Sequence, residues 1–244
     1  MKPLILNAHG FSPNPIKITM AIEALRLPYE LRLWSLDDNP ENGVKGAKFL
    51  KINEHGRLPT LQDPNTGLVI FESGAIMNYI LRKYDTSGLL GPNGDSDVAK
   101  IEYDKWEYFL ATSLAPMNGQ ANFYKSVCLF RTIAHPLVFA LMHRCRNNQN
   151  NPEALQRFQA QTYWCYDVLN EQLGRTGAGS ILPGGVTAID YHCEPWLRTH
   201  ESGGLSLERY PNLAKWLKNM ESRPEVKATY DKFKTANEKF KARV

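Results

Sequence analysis

Over residues 3–84 short apolar runs alternate with helical periodicity, and beyond them helical periodicity continues alone. The pattern predicts strands at 3–7 and 30–35, a helix at 14–27 and a short helix near 44–52. It then predicts strands at 58–62 and 67–71 and a helix at 73–84, where Ile76, Ile80 and Tyr84 recur every fourth residue on one face. This βαβαββα order makes an α/β unit. Between Asp85 and Asp97 the composition shifts to Thr, Ser, Gly, Pro, Asn and Asp, a turn-rich linker. Further on, Ile101, Trp106, Phe109, Leu110 and Leu114 crowd one side of a long helix, with Trp106 and Phe109 expected in the core. Leu155, Phe158, Thr162, Cys165, Leu169 and Leu173 repeat at spacings of three or four. Thr187 and Asp190 read as a capping box ahead of Ile189, Cys193, Trp196 and Leu197. Pro211 opens an amphipathic helix carrying Leu213, Trp216, Leu217 and Met220. The expected fold class is α+β, with one domain at 1–85, a linker at 86–96 and an all-helical domain at 97–244.

Composition narrows the function classes. An apolar content of 43% over 244 residues suffices for a core, and 29 basic against 25 acidic side chains give too weak a field to track nucleic acid. Cys128, Cys145, Cys165 and Cys193 are dispersed, matching neither a disulfide framework nor paired zinc ligands. His143 with Cys145 and His192 with Cys193 also lack metal spacing, so no metal is expected. Neither G-x-G-x-x-G nor a P-loop occurs, so no nucleotide cofactor is expected. The apolar start of the chain is too short for a signal peptide, and no run approaches the roughly 18 residues of a membrane span. The chain therefore reads as soluble and cytoplasmic, without a nucleic-acid or membrane partner. Lys232, Lys234, Lys239 and Lys241 read as a solvated helical tail.

The chemistry gathers in Leu58–Ile76, L-P-T-L-Q-D-P-N-T-G-L-V-I-F-E-S-G-A-I. Pro59 donates no ladder hydrogen bond and suits a strand start, leaving backbone groups of Leu58 free for a ligand. Glu72 and Ser73 stand at a helix start, where unpaired N–H groups favour a carboxylate. Upstream, Asn14 as N-cap and Pro15 at the first helical position would open the first helix.

This run resembles the glutathione-binding half of the glutathione transferases, where a cis-proline loop precedes a Glu-Ser or Gln-Ser pair. The βαβαββα order resembles a thioredoxin-like domain, and the whole layout resembles the soluble members of that family. T-S-L-A-P-M-N-G-Q-A-N-F at 112–123 and S-P-N-P-I-K at 12–17 resemble the fungal transferases related to the yeast nitrogen-catabolite regulator. The second motif equally resembles plant serine-type transferases.

The resemblance implies glutathione as co-substrate or catalytic cofactor. A thiol of pKa about 8.5 is only about 3% ionised at pH 7, so the protein must stabilise the anion. Ser12 and Asn14 are the candidate stabilisers, both by donating hydrogen bonds. Glu72 would take the γ-glutamyl ammonium, Ser73 the adjacent carboxylate, and Arg57 or Lys45 the other carboxylate, beside Leu58 and Pro59. Val44 stands where the fungal group has a histidine. The second substrate, a small hydrophobic electrophile, would lie between the domains against Met117, Gln120, Asn122, Phe123 and Tyr124, on a segment broken by Gly119. The implied activity is thiolate transfer in detoxification or fungal secondary metabolism, by a homodimer. Two alternatives stay open: a glutathione-dependent cis-trans isomerase, and a non-catalytic glutathione-binding regulator.

Overall fold

The computed structural model describes residues 1–10, 12–92, 94, 96–133 and 151–242, with 127–133 described by backbone alone. Strands β1 (Leu4–Ala8), β2 (Tyr29–Leu33), β3 (Thr60–Asp63) and β4 (Leu68–Phe71) form one sheet in the order β2-β1-β3-β4. β1 runs parallel to β2, with Leu6 opposite Leu31, and antiparallel to β3, with Leu6 opposite Leu61. β3 and β4 form an antiparallel hairpin.

Helix α1 (Pro13–Ala24) joins the halves of the molecule. Every residue from Pro15 to Ile22 is buried, because α1 packs on α3 (Ser73–Tyr84) and also on two later helices, α7 (Ala188–Arg198) and α9 (Pro224–Lys241). A helix covered all round needs no polar face. It stops earlier than the expected residue 27: Arg26 takes φ 53°, and Leu27 N–H reaches back to Ile22 O at 3.0 Å. That is a left-handed C-terminal cap made without glycine. The helix expected near 44–52 shortens to α2 (Ala47–Leu50). Gly43 and Gly46 lie too close to the backbone of residues 37–40 for any side chain, which holds the approach to α2 in a tight loop.

From residue 97 onward the described elements are helical: α4 (Asp97–Phe109), a π turn (Leu110–Leu114), α5 (Ala115–Ile133), α6 (Pro152–Arg175), α7, a 3₁₀ turn (His200–Gly203), α8 (Pro211–Ser222) and α9. Trp106 is buried and Phe109 packs on the core, as their spacing indicates. Pro211 is the first residue of α8. The box at the start of α7 forms: Asp190 accepts from Thr187 N–H at 2.9 Å, from Ile181 N–H at 2.9 Å and from Trp216 Nε1 at 2.8 Å. One buried carboxylate thus fixes a helix start, a preceding loop and α8 together.

Candidate active site

Three chain segments converge beside the sheet. The first ends in a cis Leu58–Pro59 peptide. Its shape is set by Asn53, whose amide donates to Arg57 O at 3.0 Å and to Thr60 Oγ1 at 2.9 Å. The main-chain N–H and C=O of Leu58 meet no protein partner among the described residues, as required of a backbone ligand site. The second segment is the start of α3, where Glu72 adopts φ 68°, ψ 118°. A non-glycine residue held there costs on the order of 1–3 kcal/mol, strain that concentrates at ligand sites. Its carbonyl accepts from Ile76 N–H at 2.9 Å, while its exposed side chain has no hydrogen bond among the described residues.

The third segment is the start of α1. Ser12, not Asn14, is the N-cap, with Pro13 rather than Pro15 at the first helical position. Proline pushes the residue before it into extended geometry, and Ser12 has φ −83°, ψ 127°. Two prolines in the first turn also remove two N–H groups. Ser12 N–H is taken by His9 O at 3.2 Å, and Ile16 N–H by Ser12 O at 3.4 Å. Negative charge at this turn must therefore be met chiefly by side chains. The Ser12 hydroxyl makes no capping bond. Asn14 Oδ1 accepts from Ser73 Oγ at 3.4 Å, which leaves the Asn14 amide N–H groups as donors and joins the starts of α1 and α3.

The cations are less concentrated. Lys45 Nζ donates to His55 O at 3.0 Å, against the loop that carries Leu58. Arg57 is exposed and has no ion pair among the described residues.

A cavity of about 1000 Å³ opens from Ser12 and Pro13 into the helical half. From α5 its wall takes Gly119, Asn122, Phe123 and Ser126, one face at spacings of three and four. Of the five candidate electrophile residues, Asn122 and Phe123 lie on this wall. Met117 and Gln120 fall off that face, and Tyr124 stacks on Phe158 with ring centroids 5.7 Å apart. Gly119 does not break the segment but lies inside α5, where a Cβ would stand 3.2 Å from the Trp196 ring. The opposite wall is α9. Lys234 and Lys241 line the cavity, and Lys232 donates to Glu23 at 2.5 Å and lies over the Tyr29 ring, so this helix is no solvated tail.

The match with known proteins decides the family. Residues 2–82 match the family described as Glutathione S-transferase, N-terminal domain. Glutathione S-transferase-like protein gedE of Aspergillus terreus is 30% identical over 226 residues, spanning 88% of this chain and 89% of that protein. The chain belongs to the glutathione S-transferase family. The chain is also 26% identical to protein URE2 of Debaryomyces hansenii over 255 residues, 91% of this chain and 75% of that one. Among solved structures, a glutathione transferase homolog from Lodderomyces elongisporus with two GSH per subunit superimposes with TM-score 0.75 at 26% identity, covering 95% of this chain and 99% of that one. The thioredoxin-like domain followed by a helical domain is thus the transferase fold.

Behind the site the protein buries a charged cluster that the residue pattern did not single out. Lys17 is only 3% exposed. Burial lowers its pKa to about 7, while Glu107 and Glu72 push it partly back. Burial raises the Glu107 carboxyl, against hydrogen bonds from Asn78 Nδ2 at 3.0 and 3.2 Å. His192 Nε2 lies 3.9 Å from Glu107, and neither ring nitrogen has a hydrogen-bond partner. Burial first, then the Lys17 charge, hold His192 well below its ordinary pKa, so it is neutral at pH 7. Lys17 lies one turn after Asn14 on α1, which places this cluster under the strained Glu72. The only sequence signal was a lysine inside the apolar run I-K-I-T-M-A-I.

Cys165 and Cys193 are buried free thiols whose pKa values burial raises, unlike reactive cysteines. His143 and Cys145, and the Cys128 side chain, lie outside the described residues. Among the described residues, no group of three His, Cys, Asp or Glu side chains could hold a metal, and no helix is long and apolar enough to cross a membrane.

Proposed function

We propose that this protein binds glutathione across the starts of α1 and α3, holds its sulfur as a thiolate, and adds that thiolate to an electrophilic carbon of a small, largely apolar compound. The thiol proton leaves to solvent and a carbon–sulfur bond forms. Either a leaving group departs with its electron pair, or the carbanion of a conjugated acceptor takes a proton. The observation that carries this reading is the joint placement of Ser12 on the cavity wall and of Asn14 in hydrogen-bond contact with Ser73. In this assignment Ser12 Oγ–H and the Asn14 amide donate to the sulfur. Leu58 pairs its backbone with the tripeptide beside Pro59, Glu72 takes the ammonium, Ser73 one carboxylate, and Lys45 or Arg57 the other. Phe123 and Asn122 receive the electrophile. The reading also carries a cytoplasmic homodimer acting on a secondary metabolite, an extension supported by the resemblance at 112–123.

The test is turnover of an electrophile panel by Ser12→Ala and Asn14→Ala, with glutathione affinity measured in parallel by calorimetry. At least one variant should lose tenfold or more in kcat while glutathione Kd changes less than threefold. Full activity in both variants would remove these roles. Counting glutathione consumed per product separates transfer, one for one, from cis-trans isomerisation, which consumes none. A chain that binds glutathione and turns over nothing on the panel is a binding protein.

A further inference from the structure

His9 follows the last residue of β1, and its ring is fixed from one side. Nδ1 lies 3.0 Å from Trp34 O, and a carbonyl only accepts, so Nδ1 carries the hydrogen and Nε2 the lone pair. Trp34 is a firm anchor: it is buried, its N–H donates to Ala8 O at 2.9 Å, and its indole N–H donates to Asn7 Oδ1 at 2.9 Å. Nε2 has no protein partner among the described residues, and it is not closed off, since His9 is only half-buried. The bond from Ser12 N–H to His9 O at 3.2 Å closes a turn over residues 9–12. Such a turn holds its first and last Cα atoms within about 7 Å. His9 and Ser12 both lie on the wall of the cavity.

Addition of a thiol to a conjugated acceptor needs a proton carrier, because the sulfur loses a proton and the product gains one. Ser12, Ser126, Thr199 and Ser202 bring only hydroxyls to the wall, and a hydroxyl neither takes nor releases a proton readily near neutral pH. Imidazole does both. We propose that the electrophile is a conjugated carbonyl compound and that His9 carries the proton to it. Nε2 takes the proton of the bound thiol, and the thiolate forms a bond to the β-carbon. The alkene electron pair moves onto the carbonyl oxygen, and the imidazolium Nε2–H protonates that oxygen. The enol returns to the carbonyl form in solvent, so the sum is one thiol and one alkene joined, with no proton left over. This step rests on the glutathione site proposed above.

The test compares two electrophiles on the full chain and on His9→Asn, which keeps an N–H for Trp34 O but exchanges no proton. Benzylideneacetone needs a proton delivered. Chlorodinitrobenzene expels chloride with its electron pair instead, and the thiol proton can leave directly to solvent. In His9→Asn, kcat should fall about tenfold or more with benzylideneacetone and less than about threefold with chlorodinitrobenzene. Glutathione Kd by calorimetry should change less than about threefold in the same variant. The parent should also lose benzylideneacetone turnover on the alkaline side of its optimum, where the imidazolium is gone, and His9→Asn should lack that fall. The charged groups sharing the cavity are Lys234, Glu238 and Lys241 from α9 and Arg198 from α7, the last held by Glu194 and Glu221. Lys234→Gln with Lys241→Gln should keep the alkaline fall; its disappearance there would move the role to an ammonium and overturn the inference. Equal losses on both electrophiles would reduce His9 to a structural part. No loss on either, or a parent that conjugates chlorodinitrobenzene but not benzylideneacetone, would also overturn it. A parent that binds no glutathione defeats the proposed function itself.

Discussion

Asn237 Nδ2 donates to Gly10 O at 2.9 Å, tying the last described helix to the turn that delivers Ser12. Gly10 has no room for a side chain there, since a Cβ would fall 1.6 Å from Asn237 Oδ1. Gly10→Ala must displace Asn237 and break the bond, costing about 1 kcal/mol or more. In an Asn237→Ala background most of that cost should disappear, because the colliding atoms are gone. A double-mutant cycle by urea unfolding checks this, and a Gly10→Ala penalty unchanged by Asn237→Ala would show that the contact is not what constrains Gly10. If the clamp also positions Ser12, Asn237→Ala should raise the pH midpoint of thiolate formation in bound glutathione, read by ultraviolet absorbance.

Glu72 separates strain from binding. Glu72→Gly relieves the positive φ and should stabilise the fold by up to about 1 kcal/mol, while removing the carboxylate proposed to meet the ammonium. Glu72→Gln keeps the strain and loses only the charge. Both should weaken glutathione at least tenfold in calorimetry, and only the glycine variant should melt higher. Unchanged affinity in Glu72→Gln would take this carboxylate out of the site.

Lys17 makes stability depend on pH. Its folded pKa of about 7 lies below its unfolded value near 10.5, so between these values the unfolded chain holds more protons. The penalty for burying the ammonium is full below pH 7 and fades as pH rises toward 10.5. Lys17→Met should therefore exceed the parent in stability by roughly 2–4 kcal/mol at pH 6, with the gap closing by pH 10. Urea melts at pH 6, 8 and 10 decide it: a gap independent of pH would mean that Lys17 does not titrate in this window.

Asp190 binds three donors from three segments at once. Asp190→Ala strands two buried backbone N–H groups and an indole N–H, so it should cost about 3–5 kcal/mol, among the largest effects of any single replacement. Asp190→Asn keeps an acceptor oxygen and should cost roughly half as much. Chemical denaturation ranks the two, and near-neutral values for both would contradict the role of this carboxylate as the joint between the loop at Ile181, the start of α7 and α8.

The legible parts of the chain were those where one residue type answers one local need. Ile76, Ile80 and Tyr84 marked α3 because a four-residue repeat is the address of a helix face, and α3 spans Ser73–Tyr84 as expected. Thr187 and Asp190 announced the start of α7 in the same way. The end of α1 was not legible, since Arg26 adopts the left-handed cap without the usual glycine. Nor was its start, because in S-P-N-P the weaker-looking cap, Ser12, wins through the proline that follows it. The roles of Lys17, Glu107 and His192 were hidden for another reason. They come from α1, α4 and α7, and their meaning exists only where those helices meet. Lys234 and Lys241 looked like a tail because a sequence does not say which side of a last helix turns inward.

The π turn at Leu110–Leu114 sets the angular phase of everything that follows it along α5. Each residue of an α-helix advances the side chains by about 100°. The wider i→i+5 turn takes up one residue more than an α-helical turn, so removing one, such as Ala111, should close it into regular helix and leave Asn122 and Phe123 facing the cavity. The turn is therefore a slack point in the helix, where the chain can lose a residue while the cavity keeps its walls.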